Sequence, residues 1–160
     1  MVDSRSSVFH RPILVLGLGN PLRGDDGVGV RVVEELQRQT LPADVEVLDA
    51  GTPGVGLIHL LEGRARAVIV DAAEMGRPPG EVVRFRVSDV ALIRSAERFS
   101  LHGRGVADAL ALAAALGIPL PEIVVYGVQP MQVGWGAGLS DEVAAALPGL
   151  VQAIQKEMQE

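Results

Sequence analysis

Ile13-Leu14-Val15-Leu16-Gly17-Leu18-Gly19-Asn20-Pro21-Leu22-Arg23-Gly24-Asp25-Asp26-Gly27-Val28-Gly29 spells a strand, a loop and the start of a helix in one run. Residues 13–16 are large aliphatics without interruption, the pattern of a strand buried on both faces. Glycines at 17 and 19 mark a turn where backbone passes close to another part of the molecule. Val28, Val32, Val33 and Leu36 then recur at helical spacing, which predicts a helix from near Asp26 to about Gln39, stopped by Pro42. The connecting loop carries two adjacent carboxylates, Asp25 and Asp26, where the first helical turn begins.

Composition narrows what surrounds this unit. A chain of 160 residues that is 48% hydrophobic, with one Trp and one Tyr, suits a single domain built on small aliphatics. Residues 1–12, with Ser4, Ser6, Ser7, Arg5 and Arg11 and no apolar period, read as a flexible lead-in, and 13–160 as the domain. A formal charge of −6 gives no broad electrostatic reason to bind nucleic acid. No run approaches the roughly 18 apolar residues that span a bilayer, and no signal-peptide-like segment opens the chain, so the expected location is cytoplasmic, away from membranes. Absence of cysteine removes disulfides, thiolate ligands and a cysteine nucleophile together, and no HExxH helix of the zincin type is present.

Further strands are expected at Val45–Leu48, Ala67–Val70, Val82–Val87 and Ile123–Val128, separated by turns and helices. The Val82–Val87 segment alternates with Arg84 and Arg86 and follows too short a connection for a crossover helix, which predicts an antiparallel edge strand. Ser100 is placed to cap a helix whose Ala107, Leu110, Ala111, Ala114 and Ala115 offer a small-residue packing face. A last helix starts at the cap Ser140, with Val143, Leu147, Leu150, Val151 and Ile154 inward, and Pro148-Gly149 is expected to bend or divide it. The fold class is α/β: a three-layer helix-sheet-helix arrangement with a mostly parallel, twisted five-stranded sheet and one antiparallel strand.

Right-handed crossovers bring the loops after parallel strands to one carboxyl edge, where open α/β sheets bind ligands. Asp26 follows the first strand, Asp71 ends the third, and His102 opens the helix before the last, so all three can converge there. Two carboxylates and an imidazole are chemically sufficient for a borderline divalent ion. The competing account is two solvated acids and an ordinary helix-start histidine. Asp25 is a rival carboxylate that a local pairing with Arg23 would occupy. His10 reads as incidental surface, and His59, among leucines, as packed or half-exposed.

Taken together, Gly19 to Gly29, Asp49-Ala50-Gly51-Thr52-Pro53-Gly54, Val70-Asp71-Ala72 and Ser100-Leu101-His102, in that order, resemble the hydrogenase maturation endopeptidases, which process the large subunit of nickel-iron hydrogenases. The resemblance runs from Ile13 to Ile154. It implies removal of a C-terminal extension from the precursor after nickel insertion, with the first strand central and the fourth peripheral in the sheet. It carries the metal contacts, and any catalytic role, onto Asp26, Asp71 and His102. Aspartate at 26 stands where the family also uses glutamate, shortening the reach by about one methylene. The nickel is then contributed by the precursor rather than permanently bound, and the protein works as a monomer in a transient substrate complex. Substrate-facing candidates are Asp49, Gly51, Thr52, Gly54 and Gln129. Glycines permit close approach of a peptide backbone, Thr52 can donate or accept a hydrogen bond, and Asp49 serves equally well as a turn former. Met131, Val133 and Trp135 either face substrate or pack over the final helix.

Three other readings stay open on sequence. A noncatalytic nickel-site recognition or assembly factor could use the same three ligands. A nucleotide-binding α/β enzyme is suggested by Gly17-Leu18-Gly19, but Leu22 stands where GxGxxG requires its third glycine. The opening Gly17-Leu18-Gly19-Asn20-Pro21 also resembles peptidyl-tRNA hydrolases, whose following tyrosine and histidine-asparagine pattern is missing.

Overall fold

A computed structural model describes residues 12–87 and 103–160, the side chains of 103–105 excepted. Five strands, β1 (Ile13–Leu18), β2 (Val45–Gly51), β3 (Arg66–Ala72), β4 (Val82–Val87) and β5 (Glu122–Val128), form one sheet in the order β2-β1-β3-β5-β4. All neighbours run parallel except β4 and β5, which pair antiparallel from Val82 opposite Val128 to Val87 opposite Ile123. The expected antiparallel edge strand is therefore observed. The first strand is interior, but the middle position belongs to β3, a correction to the expectation that β1 is central. Every side chain of β3 is buried, and its length matches β5 residue for residue, so it is flanked on both sides. β2 runs three residues past the expected Leu48, because its pairing with β1 continues through a register shift at Gly17/Leu18.

Period-two alternation sorts the strand residues into two cores. On one face Val15, Val68, Val70, Val124 and Tyr126 meet α1 (Val28–Gln37) and the last helix, through Val28, Val32, Leu36, Val143, Leu150, Val151 and Ile154. Opposite, Leu14, Leu16, Leu18, Ala67, Ile69 and Ile123 meet α2 (Leu57–Leu61) and α3 (Gly103–Ala115). Each fully buried leucine here contributes about 1.5–3 kcal/mol. α1 begins two residues later than expected because Gly24–Gly27 form a tight 3-10 turn that holds both acids. On α3 the buried face is Ala107, Ala109, Leu110 and Ala113; Ala111, Ala114 and Ala115 are exposed, contrary to expectation. An alanine-rich helix presents nearly the same small side chain all round, so sequence alone does not set its phase.

The last helix, α4 (Asp141–Glu157), is capped by Ser140 and is not divided at Pro148. Pro148 and Ala144 both lie on the exposed side, where water can satisfy the carbonyl that proline leaves without a partner. Its far end is fastened by Glu157, which accepts hydrogen bonds from Tyr126 (2.7 Å), Arg84 and Arg66 and whose own carbonyl accepts from Arg66 at 2.7 Å. Burial pushes the Glu157 carboxyl up, but the bonds from Arg84 and Tyr126 and the charges of Arg84 and Arg66 outweigh it and hold it below its ordinary value. Burial, then the Glu157 bond, pushes Tyr126 up to about 12. His59 is exposed on α2, 4.0 Å from Glu62, rather than packed or half-exposed as expected. His10 lies outside the described residues, as does nearly all of the expected lead-in; Pro12 at its end accepts backbone bonds from Ala65 and Arg66.

Candidate active site at the carboxyl edge of the sheet

The loops after β1, β3 and β5 meet at one edge, and glycine lets them meet closely. A Cβ at Gly17 would stand 2.3 Å from the Gly29 carbonyl oxygen, and one at Gly29 would stand 2.5 Å from that of Leu18 and 2.7 Å from that of Val70. At Gly19, with φ of +114°, it would stand 2.1 Å from the Asp26 carbonyl oxygen. These glycines seat the first turn of α1 on the ends of β1 and β3. They cradle protein backbone, letting helix and strands approach more closely than any side chain would permit.

Asp26, 4% exposed, sits in the 3-10 turn against β3, and its Oδ2 accepts the Asn20 N–H at 2.9 Å. Asp71, 8% exposed, occupies the penultimate position of β3, opposite Gly127 of β5. The two carboxylates thus belong to one edge, Asp26 presented from the turn after β1 and Asp71 from the end of β3. His102 lies outside the described residues. Among the described residues, no group of three or more His, Asp or Glu side chains is gathered to hold a metal ion.

Asp25 is the residue whose importance sequence reasoning missed. It is fully buried, and instead of pairing with Arg23 it reaches more than a hundred positions along the chain. Its Oδ2 accepts the N–H groups of Met131 (2.8 Å) and Gln132 (3.2 Å) and the Ser140 hydroxyl (2.8 Å), while Oδ1 accepts the Ser140 N–H at 2.7 Å. Its own N–H donates to the Gln132 carbonyl at 2.9 Å. Alongside, Gly24 N–H donates to Gly136 O (2.8 Å) and Gly136 N–H to Leu22 O (2.9 Å). The loop after β1 and the loop after β5 are therefore zipped into one double loop beside Asp26. The available signal was the Asp25-Asp26 pair, but nothing local names partners at 131, 132 and 140.

Gln129 is buried, and its side chain is committed to the loop after β3: Oε1 accepts from Met75 N (2.7 Å) and Arg77 N (3.2 Å), and Nε2 donates to Glu74 (2.9 Å) and to Pro130 O (3.2 Å). It shapes the edge that follows Asp71. Asp49 is exposed, and its Oδ1 accepts the Gly51 N–H at 3.0 Å, which is the turn-forming geometry. Gly51 and Gly54 hold φ of +60° and +55°, a Cβ added at either would meet nothing within 4 Å, and Thr52 is exposed between them. Met131 and Trp135 are 59% and 78% exposed, so they do not pack over the final helix.

The family model for hydrogenase maturation protease, HycI, matches residues 30–157. The chain belongs to the hydrogenase maturation protease family. It is 35% identical over 148 residues to the hydrogenase expression/formation protein HupD of Rhodobacter capsulatus, an alignment covering 91% of this chain and 70% of that protein. Among solved structures, the hydrogenase maturating endopeptidase HybD from Escherichia coli superposes with a TM-score of 0.83 at 31% identity, covering 92% of this chain and 91% of that one. The [NiFe] hydrogenase maturation protease HybD from Thermococcus kodakarensis gives 0.75 at 34% identity, covering 91% and 98%. This maturation protease is accordingly a peptide-bond hydrolase that removes the C-terminal extension of a hydrogenase large-subunit precursor. The precursor is its substrate, and no helix among the described residues is long and apolar enough to cross a membrane.

Proposed function

We propose that this protease cleaves a nickel-iron hydrogenase large-subunit precursor only after nickel has been inserted, and that Asp26, Asp71 and His102 recognise the nickel the precursor carries. The observation that supports this reading is the pair of buried carboxylates at the carboxyl edge, Asp26 from the turn after β1 and Asp71 from the end of the neighbouring strand β3. Two anionic oxygens neutralise a divalent ion, and an imidazole adds a softer ligand. The ion is the substrate's own, so ligation reports that the precursor is complete before its extension is removed. A water attacking the scissile carbonyl needs a proton acceptor within hydrogen-bond reach, a role open to a carboxylate at this edge. The open loop Gly51–Gly54, with Thr52 and Asp49, lines the approach of the extended peptide. Residues 13–160 act as the functional unit, a cytoplasmic monomer that meets the precursor transiently and binds neither nucleic acid nor membrane.

Matched nickel-loaded and nickel-free precursors, incubated with the protein and weighed by mass spectrometry, test the reading. A C-terminal mass loss confined to the loaded form is the expected result; equal cleavage of both removes the gating. Binding of loaded precursor with no mass loss, both proteins folded, points to recognition without proteolysis.

A further inference from the structure

The double loop fastened by Asp25 carries a feature that peptide hydrolysis does not use. Leu22 (60% exposed), Met131 (59%) and Trp135 (78%) are large apolar side chains presented to solvent from its two halves. The Arg23 guanidinium lies over the Trp135 ring, 5.2 Å from its centroid. Grouped large apolar side chains on a surface mark an interaction site more often than an accident of packing. Here they are held in place: backbone bonds from Gly24, Gly136 and Asp25 rivet the two halves together, although the Gly134-Trp135-Gly136 run by itself would be pliant. A surface ordered before binding loses little entropy when a partner docks, and tryptophan beside arginine is the composition of interface anchors.

Place decides the occupant. Leu22 and Arg23 belong to the same loop as Asp26, and Met131 is bonded through its N–H to Asp25, one residue away from Asp26. This surface therefore adjoins the carboxyl edge to which the substrate's peptide must be brought. We propose that Leu22, Met131 and Trp135 form a preformed docking platform for the folded body of the large-subunit precursor, with Arg23 at its rim meeting an acceptor oxygen on that surface. The platform rests on the precursor being the substrate. It adds the means by which a folded protein is held while its tail is cut, and it assigns Trp135 a specificity role, not a catalytic one.

Trp135 is the only tryptophan in the chain, so labelling the protease with 5-fluorotryptophan gives one ¹⁹F resonance that reports this surface alone. Titrating unlabelled nickel-loaded precursor should shift or broaden that resonance to saturation. Trp135→Ala should raise KM for the precursor about tenfold or more, with the loss falling on KM rather than kcat. Leu22→Ser, from the other half of the platform, should act in the same direction, and Trp135→Phe should recover most of the loss. Both truncated side chains are exposed, so the melting temperature should stay close to that of the unaltered protein. A resonance that does not move while the precursor is being cleaved overturns the platform, as does an unchanged KM in Trp135→Ala. A resonance that moves with protease concentration in the absence of precursor assigns the surface to a second copy of the chain and overturns it too. Failure of the unaltered protein to cleave any precursor would instead defeat the underlying reading, and the platform with it.

Discussion

Replacing Asp25 with alanine should unfasten the double loop and cost stability out of proportion to the size of the side chain. The carboxylate accepts four hydrogen bonds at 2.7–3.2 Å, three from backbone N–H groups and one from the Ser140 hydroxyl, and it is fully buried. A hydrogen bond to a charged group contributes about 1.5–3 kcal/mol, so the gross loss is roughly 6–12 kcal/mol. Water entering the space and relaxation of the glycine-rich loop recover part of this, leaving an expected loss of about 3–5 kcal/mol. For a chain of this size the melting temperature should fall by roughly 10 °C. Asp25→Asn, which keeps the shape and one acceptor oxygen, should lose about half as much. Arg23→Ala is the control, since Arg23 touches Trp135 at the surface and should cost under about 1 kcal/mol. Urea denaturation followed by far-UV circular dichroism measures all three. If Asp25→Ala loses less than about 1 kcal/mol, or no more than Arg23→Ala, the carboxylate is not the clamp described here.

Glu157→Gln removes the charge that Arg66, Arg84 and Tyr126 surround and should lose about 3 kcal/mol in the same assay. Because the folded-state carboxyl lies below its ordinary 4.5, the stability it contributes is present above that pH and disappears as pH falls through the folded value; the urea midpoint should therefore drop more steeply below pH 4.5 in the unaltered protein than in Glu157→Gln. Tyr126 is the only tyrosine, so absorbance at 295 nm should show no ionisation near pH 10 and a midpoint near 12, or at alkaline unfolding if that comes first. Gly29→Ala should be severely destabilising, about 3 kcal/mol or more, since its Cβ would meet two carbonyl oxygens; Gly54→Ala, with open space and only a positive φ to strain it, should cost about 1 kcal/mol.

Legibility followed the range of the interactions. The strands of this protease were readable because aliphatic runs ended by glycine are local patterns, and the antiparallel β4 was readable because its connection is short. Strand order depends on which neighbours pair, so the central place of β3 did not show in any one segment. Asp26 and Asp71 could be placed at one edge from topology alone, as crossover handedness assigns the edge without reference to side chains. Asp25 could not, because its partners are 106 to 115 residues away and are mostly backbone N–H groups, which carry no residue signature. The partners of Gln129 are hidden in the same way: nothing near it in the sequence names the Glu74 side chain or the Met75 and Arg77 N–H groups that its amide meets. The exposure of Trp135 was undecidable between two accounts, since a tryptophan among glycines fits a surface loop as well as a packed lid.

The two buried carboxylates that take no part in the proposed nickel contacts explain how the site keeps its shape. α4 spans 17 residues, about 25 Å, from the carboxyl edge of the sheet to its amino edge. At its first end Ser140 is held by Asp25, and at its last end Glu157 is held by β3, β4 and β5 through Arg66, Arg84 and Tyr126. A helix pinned only by its apolar face can slide or rotate by fractions of a turn, since dispersion contacts are individually weak and lack direction. Pins at both ends remove that freedom, because charge-assisted hydrogen bonds tolerate little change in distance or angle. The strut fastens the loop after β5 beside the turn that holds Asp26. Rigidity is therefore concentrated around the turn of Asp25 and Asp26, while the Gly51–Gly54 loop on the other flank has open space around its glycines. The room for an extended peptide therefore lies on the Gly51–Gly54 side, and the turn that carries Asp26 beside it keeps its position because both ends of α4 are fixed.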